Sequence, residues 1–331
     1  SSRANAIPLK GPGVLDSQVS LVAFSRNFGP QGTDSGYFGG GQSPNKTTVD
    51  RIDYSNDTAT AVAKGPLTVA RHSLAATGNA SFGYFGGGNP GTKSTVDRID
   101  YSNDTPTSVA KGPLSAGRRY LAATGNSSFG YFGGGFPGPK STVDRINYAN
   151  DTADAVVKGP LSGVRGQLSA TGNANFGYFG GGYTGSANSS TVDRIDYSND
   201  TATASPKGPL SIARYELGAT GNASFGYFGG GVGAPGNIST VDRVDYSNDT
   251  ATAVAKGLLS LARQSLRATG NSSFGYFAGG EPGPVSTVGR FDFSNDTSTA
   301  SARGPLSVAR KMIAAASSRA NAIPSENIVN Y

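Results

Sequence analysis

Residues 74–114 read LAATGNASFGYFGGGNPGTKSTVDRIDYSNDTPTSVAKGPL, and the pattern in this stretch decides the fold. Residues 74–77 form a short run of small side chains that ends in Thr77-Gly78-Asn79, a turn signal. Over residues 82–85, Phe82 and Tyr84 fall on one face and Gly83 and Phe85 on the other, before three glycines end the run. Residues 96–101 are β-branched and aromatic at their ends and stop at Ser102-Asn103-Asp104, whose side chains can bond a turn's backbone. Residues 108–111 make a fourth run, closed by Gly112-Pro113. No apolar stripe of period 3.6 and helical length competes with this reading, so the unit is four short strands.

The unit repeats. GYFGGG starts at Gly36, Gly83, Gly130, Gly177 and Gly226 and returns as GYFAGG at Gly275, with spacings of 47, 47, 47, 49 and 49 residues. VDRIDYSNDT starts at Val49 and recurs with small changes at Val96, Val143, Val192, Val241 and Val288. KGPL starts at Lys64, Lys111, Lys158 and Lys207, and survives as KGLL at Lys256 and RGPL at Arg303. An Arg followed three residues later by Leu stands at Arg71, Arg118, Arg165, Arg214 and Arg263. Four strands at this period specify a β-propeller blade, and self-similarity over most of the chain specifies an all-β fold in one ring.

The order of Arg, small-residue strand, Tyr-Phe-Gly-Gly, variable loop, Val-Asp-Arg-Ile-Asp-Tyr, turn and Gly-Pro-Leu resembles the kelch repeat, in which a di-glycine follows the second strand. The resemblance covers nearly the whole chain. It departs at the fourth strand, where the usual Trp is replaced by small residues near Ala61 and Ala63, implying lighter packing between blades. The near-verbatim copies and the Ser/Asn/Asp/Thr-rich turns are also similar to kelch-like repeats of marine virus and phage virion proteins. That likeness implies a virion or extracellular structural protein.

Seven periods nearly fill the 331 residues, so seven blades over residues 1–331 is the expected count, with six the alternative. The seventh blade would combine one N-terminal strand, at residues 7–12, with three C-terminal strands, at residues 312–316, 320–323 and 327–331. Such a closure would remove the open edge of the sheet.

In a blade of four antiparallel strands, the loops after strands two and four open on one face of the ring. The turns on the opposite face are nearly invariant among the copies, as at Gly78-Asn79 and Asn103-Asp104. The Asn-x-Ser/Thr sequons there, Asn79 among them, read as repeated turn chemistry. Diversity gathers on the first face, at Lys46, Lys93 and Lys140, at Phe136 and Tyr183, and at His72, Arg119, Tyr120, Tyr215 and Lys311 after the repeat Arg. Loops on a rigid scaffold are where binding residues collect, so these ten residues are the candidate recognition surface. With Lys64 and Arg71 assigned to this face and Asp57 and its equivalents to the other, the ring is expected to be electrically polarised. That would favour an anionic partner: a neighbouring structural subunit, a host-surface glycan or another anionic polymer.

The composition excludes much chemistry. With no Cys there is no disulfide, thiolate nucleophile or Cys-ligated metal, and the lone His72 rules out any site needing two imidazoles. A kelch-type copper oxidase would need a Cys–Tyr crosslink and two His ligands, and no Trp-bearing Asp-box of a sialidase occurs. Asp50, Arg51 and Asp53 recur in nearly every copy, which points to structural ion pairs, because a catalytic set in a symmetric scaffold should be singular. GYFGGG lacks the Lys-Ser/Thr of a phosphate loop. No cofactor and no enzyme activity are expected. The net charge of +6 is too small, and motifs are lacking, for nucleic acid to be favoured. No apolar run reaches membrane-spanning length and no charged-then-apolar leader follows Ser1, so the chain is expected to act without membrane insertion.

Overall fold

The computed structural model describes residues 34–234 and 236–318. Six four-stranded antiparallel sheets follow one another along the chain, and the fold is a β-propeller. The second blade contains Ala75–Gly78, Phe82–Gly86, Val96–Asp100 and Val109–Lys111, close to the limits read from the sequence. In the first blade the chain supplies Ser35–Gly39, Val49–Asp53 and Val62–Lys64, and the missing innermost strand is Ala314–Ser317. That strand pairs antiparallel with Ser35–Gly39, setting Tyr37 opposite Ala316.

This closure corrects the expected blade count from seven to six. The strand expected at residues 312–316 does form, but as the first strand of the opening blade. The physical reason is an unpaired edge: Ser35–Gly39 has no first strand of its own immediately before it among the described residues, and the tail after Arg310 carries the matching small-residue sequence. The strands expected at residues 7–12, 320–323 and 327–331 lie outside the described residues.

Alternation along the second strand builds the core between blades. Tyr84 joins Phe132, Ile146 and Tyr148 of the third blade, while Phe85 turns the other way to Tyr37 and Val49 of the first. Each interface therefore receives a Tyr from one blade and a Phe from the next. Gly86 is the socket for this arrangement, because a Cβ there would stand only 2.7 Å from Cε1 of Phe132. Stacked ring pairs recur at every interface, among them Tyr37–Tyr101, Tyr84–Tyr148 and Tyr131–Tyr197, with Phe293 replacing the outer Tyr against Tyr227.

Two repeated ion-pair systems hold the ring. In the first, Asp104 accepts from the Tyr37 hydroxyl at 2.9 Å and from Arg51 at 2.8 Å, and pairs with Lys64 at 3.1 Å, so one carboxylate of the second blade gathers three groups of the first. Asp151, Asp200, Asp249, Asp296 and Asp57 do the same around the ring, with Arg303 taking the Lys position against Asp57. In the second, the fully buried Arg71 and Asp97 pair at 2.9 Å, and Asp97 also accepts from the Thr68 amide at 3.0 Å and its hydroxyl at 2.7 Å. Both systems agree with the structural reading of the repeated Asp and Arg residues. They also correct the expected charge separation between faces. The Lys64 series and, Arg263 excepted, the Arg71 series are neutralised inside the ring by the Asp57 and Asp97 series, since a buried carboxylate or guanidinium is strongly penalised without a partner.

Two predictions follow from this core. Gly86→Ala should crowd Phe132 and lower the unfolding free energy by about 1–3 kcal/mol, read as a lower urea midpoint. Burial also raises the hydroxyl pKa of Tyr54, Tyr84, Tyr101, Tyr131, Tyr148, Tyr178, Tyr197, Tyr227, Tyr246 and Tyr276. The native state keeps these protons while the unfolded chain releases them near pH 10. Their contribution to stability is thus complete below about pH 10 and lost as the pH climbs toward the folded values. Tyrosinate absorbance should rise together with loss of β-sheet circular dichroism above about pH 10; smooth titration with the sheet signal intact would contradict the burial.

Candidate functional site

The variable loops meet where the sequence placed them. In each blade the residue after the repeat Arg bridges to the residue that follows the di-glycine after the second strand: His72 to Asn89, Arg119 to Phe136, Gly166 to Tyr183, Tyr215 to Val232, Gln264 to Glu281 and Lys311 to Gln42. The two variable segments are therefore one continuous extension of the sheet, directed to one face.

One residue further in, Ser73, Tyr120, Gln167, Glu216, Ser265 and Met312 all take positive φ, between 55° and 58°. None is glycine, and left-handed backbone at a non-glycine residue needs support from its surroundings. The support is a closed circle of backbone hydrogen bonds. The amide of Ser73 donates to the Met312 carbonyl, Tyr120 to Ser73, Gln167 to Tyr120, Glu216 to Gln167, Ser265 to Glu216, and Met312 to Ser265, at 2.7–2.9 Å. This circle rims an axial channel walled by the first strands of all the blades, mostly with Ala.

Five kinds of side chain stand on the six equivalent backbone positions, serine twice, and they build a set found once. Gln167 Nε2 donates to Glu216 Oε1 at 2.7 Å, while the Ser265 hydroxyl donates to Glu216 Oε2. Ser265 also lies 3.2 Å from Glu281 Oε1, and Lys311 Nζ pairs with Glu281 Oε2 at 2.7 Å. Just below the rim is Arg267, where the other blades carry Ala75, Ala122, Ser169, Gly218 or Ala314. Its guanidinium donates to the Leu266 and Leu217 carbonyls at 2.8 and 3.2 Å. Burial lowers its pKa, and the nearby Glu216 opposes that shift.

The aromatic candidates flank this set. Tyr120 meets Phe136 edge-on at 6.3 Å and points its hydroxyl at the Met312 sulfur at 3.6 Å. Tyr183 and Tyr215 lie 5.8 Å apart. All four rings are half-buried, leaving part of each open to a ligand. Lys46, Lys93 and Lys140 stand at equivalent loop positions of the first three blades, and their carbonyls hold the Arg71, Arg118 and Arg165 amides at 3.0–3.1 Å. Ser189, Ile238 and Val285 fill this position in the remaining blades, so the lysines form an arc on one half of the face.

His72 departs from the surface placement expected of it. It is 7% exposed, with Nδ1 2.8 Å from the Ser73 hydroxyl and Nε2 3.3 Å from the Asn89 amide nitrogen. Burial, aided by Arg119 and Lys311, lowers its pKa, which favours the neutral ring. Arg119 in turn donates to Asn89 at 3.3 Å. Both residues thus brace the rim.

Gln167, Glu216, Ser265 and Glu281 stand at variable positions of this face but outside the ten candidates, and Arg267 was not singled out from the sequence at all. The signal was present as departures between copies, clearest in Arg267 at a position otherwise filled by small side chains. Chemically, the rim offers carboxylate acceptors, amide and hydroxyl donors, and aromatic edges, a set suited to a polyhydroxylated or peptide ligand.

If Arg267 is not there for folding, Arg267→Ala, which restores the Ala found at this position in three other blades, should leave the urea midpoint unchanged or raise stability by up to about 2 kcal/mol. A large loss would instead make it part of the core. No known protein family matches the chain, and no curated protein matches it.

Proposed function

We propose that this propeller is a non-enzymatic binding and structural module of the kelch type, acting in a virion as a fibre, decoration or host-attachment protein. Its variable face would engage a neighbouring subunit or a surface glycan. One observation carries the reading: copies that are otherwise nearly verbatim differ mainly on one face, and the differences there converge on a single polar and aromatic set at the axis. Tyr183, Tyr215, Tyr120 and Phe136 would supply stacking surfaces, Gln167 and Glu216 hydrogen bonds, and the Lys46, Lys93 and Lys140 arc attraction for anionic groups. A virion or extracellular setting follows from the resemblance of the repeats to virion proteins. A cellular lectin or protein-interaction propeller would use the same face.

A glycan array probed with the full chain tests the lectin form of the reading. Binding should fall at least tenfold in Tyr215→Ala and Glu216→Gln, and Lys93→Ala should weaken it mainly at low salt. Proteomics of purified virus particles tests the setting, and detection of the chain there in stoichiometric amount is the expected result. Turnover in a hydrolase panel would overturn the non-enzymatic reading.

A further inference from the structure

The buried Arg–Asp pair that anchors each crossover between blades is complete in five blades and incomplete in the sixth. Asp50, Asp97, Asp144, Asp193 and Asp242 pair with Arg310, Arg71, Arg118, Arg165 and Arg214 at 2.7–3.1 Å. Each of those carboxylates also accepts from the backbone amide and hydroxyl of a Ser or Thr, as Asp242 does from Ser211 at 2.9 and 2.6 Å. In the sixth blade the chain reads Val288-Gly289-Arg290, and Gly289 takes the Asp position: it pairs with Phe277 as Asp97 pairs with Phe85.

The cation is nevertheless kept. Arg263 is fully buried, and it donates to the Phe277 carbonyl at 2.9 Å, as Arg71 does to Phe85, and to the Thr287 carbonyl at 3.0 Å. No carboxylate of the described residues pairs with it. Burial alone lowers its pKa to about 10. Ser260, the counterpart of Ser211, is exposed at the surface. A Cβ built on Gly289 would lie 3.6 Å from Ala300 Cβ, 3.7 Å from Ser260 Oγ and 3.8 Å from Arg263 Nη2, all ordinary contact distances. The donor set that holds a carboxylate in five blades is thus retained beside a residue that brings none.

We propose that the sixth blade is a receptor for a small free carboxylate of acetate size, held by the Arg263 guanidinium with the Ser260 amide and hydroxyl. Acetate reproduces the CH2–COO⁻ of the Asp side chain that the other blades place there, and a charge-assisted contact to a buried guanidinium supplies the affinity. Selectivity comes from size, because Ala300, Ser260 and Arg263 stand at contact distance from a single carbon built on Gly289, which accommodates a methyl group and not a tert-butyl group.

The test is thermal unfolding of the full chain in sodium acetate against sodium pivalate at equal ionic strength. Acetate at tenfold excess over its dissociation constant should raise the Tm by about 3 °C, and pivalate should not. Gly289→Asp should raise the Tm in buffer alone and abolish the acetate response, and Ser260→Ala should weaken that response. Equal shifts in the two salts, no shift in either, or an undiminished acetate response in Gly289→Asp would overturn the proposal. Saturation-transfer NMR on the unaltered chain keeps it testable if Gly289→Asp does not fold: transfer to acetate, competed by formate and not by pivalate, is expected, and absence of transfer overturns it.

Discussion

The structure depends on one interaction made at every blade boundary, a carboxylate that collects a tyrosine hydroxyl, a guanidinium and a second cation from the preceding blade. Asp104 gathers Tyr37, Arg51 and Lys64, and Asp57 closes the circuit by gathering Tyr276, Arg290 and Arg303. A propeller blade cannot bury both faces of its own sheet, so each must be held in register against the next. Stacked aromatics supply apolar area at these boundaries but little directional constraint. The carboxylate supplies direction, since its acceptor positions are filled only when the two blades sit at one angle. The Arg of this set also lies over a ring of its own blade, as Arg98 does over Phe82 at 4.3 Å.

Against so regular a background, departures from the repeat stand out. Structural demands are the same in every blade, so residues that serve folding recur, and residues that do not recur need another cause. By this criterion the axial rim, with Gln167, Glu216, Ser265 and Arg267, and the incomplete pair at Arg263 and Gly289 are two places where the chain departs from its own rule. The rim adds polar groups to a position where small residues suffice. The sixth blade instead removes one member of a buried pair and keeps the other, which ordinarily costs stability. The rim circle shows how such variety is tolerated: the backbone bonds that close the ring are independent of side chain, so Ser, Tyr, Gln, Glu and Met share one left-handed conformation.

Much of this was legible in the sequence. Strand limits, the parity that sends Tyr84 and Phe85 to opposite neighbours, the face on which variable loops open and the structural role of the Asp/Arg pattern all follow from local alternation and the repeat. The candidate residues Tyr120, Phe136, Tyr183 and Tyr215 do lie together around the rim. Other features were misread because they depend on contacts between distant segments. Lys64 reads as a surface cation until Asp104 of the next blade is placed against it, and His72 reads as exposed until Ser73 and Asn89 close around it.

The sequence by itself determined the unit, a four-stranded blade with a Tyr and a Phe on opposite faces, because side-chain alternation and turn chemistry are local properties of the chain. Only the tertiary structure decided how many units make the ring. Length suggested seven, but the count is fixed by which edge the last strand satisfies, and Ser317 donates its hydroxyl to the Ser35 carbonyl across 282 residues of sequence. The tertiary structure likewise decided which charges are spent inside the ring and which singular residues meet at its axis. Both are set by neighbours that the chain brings together only when the ring closes.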